Sequence, residues 1–143
     1  MRKWLACLSL LPISMTFGDG NVVYSHDEIR EFHMFGNHYK GLSTKEMGAK
    51  EFEVWRSHIE VGSKTPRHVH ETEEVFILLK GTILAIIGDQ EHTCVAPATL
   101  ICPANIPHQL INVGDVPTDQ IVVLGIDSKI HDTKGEEMNP PWR

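Results

Sequence analysis

Three histidines and one glutamate carry the strongest chemical signal in this 143-residue chain. The order runs Gly62, five residues, His68, one residue, His70, three residues, Glu74, six residues, Gly81. A third histidine, His108, follows Pro107, with Asn112 four residues on. On a β-strand, side chains two apart share a face, so His68 and His70 project together while Val69 faces away, and Glu74 keeps the same even parity. A closed sheet that sets the later strand beside the first brings three imidazoles and one carboxylate to one point. Three neutral nitrogens and one anionic oxygen suit zinc, iron, manganese, nickel or copper, and leave positions open to water or a ligand. His26, His33, His38, His58, His92 and His131 have no such spacing and read as ordinary surface or core side chains.

The elements that must position this quartet are short β-type runs rich in Val, Ile, Phe and Trp. They are Phe52 to Val61, Glu74 to Leu79, Thr82 to Ile87, Thr99 to Cys102, His108 to Val113 and Gln120 to Ile126. Gly62-Ser63, Lys80-Gly81, Gly88-Asp89, Ala104-Asn105 and Gly114-Asp115 punctuate them at the interval of a sandwich or closed barrel. No amphipathic helix interrupts them. Asp27 to Phe35 reads equally as a turn of helix or an edge strand. The polar tail from His131 ends in Asn139-Pro140-Pro141-Trp142-Arg143, where adjacent prolines exclude regular helix and predict an irregular arm. A tryptophan there calls for a packing partner, since its ring carries about 150 to 250 Å² of surface.

The 41% apolar content supports one core and one domain. A net charge of -6 speaks against nucleic acid or an anionic membrane as partner. Arg2-Lys3, then an apolar run from Trp4 to Met15, then Phe17-Gly18-Asp19-Gly20, follow the order of a secretory signal peptide over residues 1–18. That run is too short to span a bilayer. Cys94 and Cys102 lie in apolar surroundings and are expected as free thiols.

The segment Gly62 to Gly81 matches the first cupin motif, and Pro103 to Asn112 resembles the second, with Asn105 and Pro97 where the general pattern has glycine. Lys50 to Trp55, Gly62-Ser63-Lys64-Thr65-Pro66, His68-Val69-His70, Glu73 to Phe76, Leu79 to Thr82, Pro103 to Gln109 and Gly41-Leu42-Ser43 look like the plant auxin-binding protein family. The resemblance covers roughly residues 41 to 126. It implies an all-β cupin jelly-roll β-barrel over residues 19–130, with a short N-terminal segment before it and the arm at 131–143 after it. It also implies zinc on His68, His70, Glu74 and His108, with Fe2+, Mn2+ or Ni2+ as alternatives. A small-molecule carboxylate would take the open position, beside pocket residues Leu42, Trp55, Thr65, Pro66 and Trp142. Zinc with one glutamate carries a local charge of about +1, which independently favours a carboxylate.

The function expected is therefore metal-dependent binding of a small aromatic carboxylate, as an auxin-like receptor or carrier without turnover. The rival is a cupin enzyme of dioxygenase or isomerase type. The resemblance further implies a homodimer and, for signalling, a membrane co-receptor that the chain itself does not identify. The leader-like N-terminus, with no Lys-Asp-Glu-Leu at the other end, gives an expected address in the endoplasmic reticulum lumen or outside the cell.

Overall fold

Strict alternation of inward and outward side chains decides the architecture. Along β3 (Phe52–Ile59) the buried positions are Glu53, Trp55, Ser57 and Ile59; along β5 (Glu74–Lys80) they are Glu74, Phe76 and Leu78. β9 (His108–Asn112) buries His108, Leu110 and Asn112, and β10 (Asp119–Gly125) buries Gln120, Val122 and Leu124. This period of two is that of strands with one face on a core. The computed structural model describes residues 22–143, and the expected leader at 1–18 lies outside them.

The other strands are β1 (Phe32–Met34), β2 (Asn37–Ser43), β4 (His68–His70), β6 (Thr82–Ile87), β7 (Gln90–Val95), β8 (Ala98–Cys102), β11 (Ile130–Asp132) and β12 (Glu137–Met138). All pairings among the described residues are antiparallel. One six-stranded sheet runs β1-β2-β3-β10-β5-β8 and the other β12-β11-β4-β9-β6-β7. The chain repeatedly crosses between them, and their inner faces enclose Ile59, Phe76, Leu78, Ile83, Ala85, Leu110, Val122 and Leu124. This is an all-β jelly-roll barrel. At the β5–β6 crossing Gly81 adopts φ +94°, and a Cβ there would press within 3.2 Å of the Thr118 backbone, so the turn needs glycine.

The six runs read from the sequence all form strands. Among the strands outside those runs, β2 is largely polar, and β7 is mostly exposed and, among the described residues, pairs only with β6. β7 occupies the stretch that looks like a bare connection between Gly88 and Pro97. Of the undecided stretch from Asp27 to Phe35, residues 32–34 become an edge strand. Regular pairing also continues into the expected arm, because β11 lies on β4 and turns back through Gly135 into β12.

Beyond β12 the chain is irregular but firmly docked. Arg143 donates from Nε to the buried Glu53 carboxylate and from Nη2 to the Ser128 carbonyl at 2.8 Å. A Cβ at Gly41 would run into the Trp142 carbonyl, so β2 yields its side chain where the arm crosses. Cys94 and Cys102 are free thiols.

Candidate metal centre

β4 sets His68 and His70 on one face, β5 opens with Glu74 after a three-residue bend, and β9 opens with His108, paired in register with His68. The sequence places a left-handed residue just before β9. Asn105 takes φ +62°, which asparagine tolerates where most side chains do not, and its amide donates to the His70 carbonyl at 2.8 Å. Asparagine thus meets the backbone demand at a position where the general cupin motif has glycine. Asn112 is a structural clip: its amide donates at 2.8 Å to the carbonyls of Ile59 and Val116, and its oxygen accepts from Gly114 at 2.9 Å.

The four side chains come together as their spacing predicts. One ligand atom from each lies within 4.8 Å of all the others. Glu74 Oε2 stands 2.9 Å from His108 Nε2, 3.1 Å from His70 Nε2 and 3.9 Å from His68 Nε2. On the far side of two rings a carbonyl fixes the hydrogen. His68 Nδ1 donates to the Pro66 carbonyl at 2.7 Å and His108 Nδ1 donates to the Ile106 carbonyl at 3.1 Å. A carbonyl can only accept, so a neutral ring at either position presents a bare Nε2 lone pair inward.

Lone pairs converging on an anionic oxygen repel unless a cation sits among them, and a divalent ion fits that donor set. Burial holds the His68 ring well below its ordinary range, at about 4, against the attraction of Glu74. Burial pushes the Glu74 carboxyl up, but hydrogen bonds from His108 and His70, made whenever their Nε2 atoms carry a proton, more than offset it and hold the group below the usual carboxylate range. Ligation requires both forms: an uncharged ring and an ionised carboxylate. Cys102, paired opposite Glu74, is not among the donor atoms that gather within 4.8 Å, and burial and that charge push its thiol up.

A cavity of about 250 Å³ opens onto the quartet. Trp55, Thr65, Pro66 and Trp142, expected from the family resemblance, all line it, as do His68, His70 and Glu74. Leu42 does not. Asn37, Tyr39 and Gly41 are the buried residues of β2, which turns Leu42 outward to a separate recess beside Arg56 and His58. Thr65 is tied to β9, its hydroxyl accepting from the Leu110 amide at 3.0 Å and its carbonyl from the Gln109 side chain at 2.8 Å.

Sequence reasoning misses Tyr39, Ser57, Phe76 and Gln120, which also line the cavity. Ser57 and Gln120 face each other on β3 and β10, and the Gln120 amide donates to the Ser57 hydroxyl at 2.9 Å. Among the described residues, Gln120 Oε1 is left buried with no partner, and so is the indole nitrogen of Trp142. Burial raises the Tyr39 hydroxyl above its ordinary range, so it stays protonated at neutral pH. Alternation within β3 predicts Ser57 once Trp55 is known to face inward; the others depend on long-range pairing.

Residues 55–124 match the family described as Cupin domain. The chain carries a cupin domain. Among solved cupin-like structures, the polyketide cyclase RemF from Streptomyces resistomycificus superposes with a TM-score of 0.67 at 16% identity, over 84% of this chain and 89% of that one. That likeness concerns the fold. Auxin-binding protein 4 of Zea mays is 36% identical over 86 residues, which is 54% of this cupin and 42% of the maize protein. Auxin-binding protein 1 of Arabidopsis thaliana is 33% identical over 86 residues, 54% and 43% of the two chains. This cupin spans less than half the length of either relative. Among the described residues, no helix is long and apolar enough to cross a membrane.

Proposed function

We propose that this cupin holds one zinc ion on His68, His70, Glu74 and His108 and uses it to bind a small aromatic carboxylate, without turnover. The observation that carries the reading is the convergence of three Nε2 atoms on one carboxylate oxygen at the floor of a cavity walled by Trp55, Phe76, Tyr39 and Trp142. Bound metal supplies a net positive charge that attracts a carboxylate. The chain's own part is recognition of the rest of the ligand. Aromatic walls remove an aryl ring from water, and the Gln120 oxygen can accept from a ring N–H or hydroxyl. A buried acceptor without a partner costs about 1 to 3 kcal/mol, which a donating ligand would recover.

Binding is favoured over acid–base turnover by the inventory of the cavity. Beyond the metal donors, its one titratable lining side chain among the described residues is Tyr39, which keeps its proton near neutrality and cannot serve as a general base. Redox turnover would require iron, manganese or nickel in place of zinc, so the metal content of natively purified protein separates the two readings. The sequence likeness to plant auxin-binding proteins makes indole-3-acetic acid the first ligand to try. Calorimetric titration should give saturable binding to the zinc-loaded protein and none after chelation; no binding to the loaded protein would remove the carboxylate reading.

A further inference from the structure

We propose a second transition-metal site on the outer surface, built by Glu31, His33 and His38 and separate from the barrel quartet. β1 and β2 form a hairpin in which His33 and His38 are direct cross-strand partners, and their rings lie 4.3 Å apart between centroids. Residues directly opposite on antiparallel strands bring their side chains within reach of one ligand. Glu31, just before β1, supplies it with a carboxylate: its Oε1 lies 3.3 Å from His33 Nε2 and 3.2 Å from His38 Nδ1. One ligand atom from each residue falls within 4.8 Å of the other two.

The second nitrogen of His38 is what distinguishes this cluster from a chance surface grouping. His38 Nε2 stands 3.3 Å from Glu60 Oε1 on the other side of the ring. With a metal on Nδ1, the ring hydrogen stands on Nε2, where Glu60 is placed to accept it. Metal-binding imidazoles characteristically have such an outer partner. Two imidazoles and one carboxylate make an open, mixed nitrogen and oxygen site suited to zinc, nickel or copper rather than calcium or magnesium. Lys40, whose Nζ is 4.0 Å from Glu31 Oε2, opposes a cation and limits the affinity. His33 and Glu31 are exposed, so the remaining positions would be filled by water.

The test is zinc stoichiometry of the untagged full chain, dialysed at low-micromolar free zinc. Wild type should bind one equivalent more than His33→Ala and than His38→Ala, whether or not the barrel binds metal. Two equivalents falling to one would leave both sites standing; one falling to none would keep the surface site and remove the barrel reading. Glu60→Gln should weaken the surface equivalent roughly tenfold, as loss of an outer carboxylate does. Equal stoichiometry in wild type and His33→Ala, with both variants melting like wild type in chelator, would overturn the site.

Discussion

The indole of Trp142 lies flat on the phenol of Tyr39, with ring centroids 3.8 Å apart and planes within 1° of parallel. The contact joins the last residues of the chain to an early strand, and both rings face the cavity. Removing the indole strips Tyr39 of its cover and leaves the arm to the hold of Arg143 on Glu53 and Ser128. Trp142→Ala should therefore destabilise the fold by about 3 kcal/mol, near the low end for loss of a buried aromatic. Denaturant unfolding checks this, with the midpoint moving down at unchanged slope.

The metal donors make a sharper prediction. His108 is fully buried and its Nδ1 hydrogen is committed to the Ile106 carbonyl, so no neighbour can take its place. His108→Ala should lower zinc affinity of the barrel by at least about a hundredfold, while the surface equivalent on Glu31, His33 and His38 remains. Competition with a chromophoric chelator reads both sites in one titration.

A pair of substitutions separates cavity from surface. Trp55 lines the cavity, whereas Leu42 lies outside it. Trp55→Ala should weaken carboxylate binding by tenfold or more, since burial of an aryl ring against indole is worth on the order of 1 to 3 kcal/mol. Leu42→Ala should leave the affinity within about twofold. Calorimetry on zinc-loaded protein measures both.

The quartet is legible in the sequence because His68, His70 and Glu74 keep one parity, while Trp55, Thr65 and Pro66 come from the family resemblance. His68 and His70 alternate with Val69, and Trp55 alternates within a clear apolar strand. Tyr39 and Leu42 are not legible in this way. They sit on β2, whose Asn37, His38 and Lys40 give it no apolar signature, so nothing local says which of its faces turns inward. The pairing of β2 with β3 decides that, with a register shift between Gly41 and Ser43. Gln120 looks like an ordinary polar strand residue until β10 is seen between β3 and β5, opposite Ser57 and Leu78. The His33–His38 pair is hidden for the same reason: the two are five residues apart and meet only because a tight turn folds β1 onto β2.

Stability should also respond to acid through a pair remote from the cavity. Arg56 grips Asp119 with two hydrogen bonds, Nε to Oδ1 at 2.7 Å and Nη2 to Oδ2 at 2.5 Å. The Arg56 hydrogen bond outweighs desolvation and holds the Asp119 carboxyl below its usual range. The folded chain then binds this proton less readily than the unfolded chain. Its stabilisation is complete at neutral pH and is lost as pH falls below about 4 toward the lower folded value. The pair is partly exposed, so the effect should be no more than about 1 kcal/mol. Comparing wild type with Asp119→Asn by urea unfolding at pH 7 and pH 3 should show a difference at the higher pH that shrinks at the lower.

Anomalous diffraction at the zinc edge from crystals of the metal-loaded protein tests the central claim most directly. A peak at the cavity floor, about 2.0 to 2.2 Å from Nε2 of His68, His70 and His108 and from a Glu74 oxygen, is the predicted result. A barrel with no anomalous density among those four side chains, in crystals grown with excess zinc at neutral pH, would contradict it.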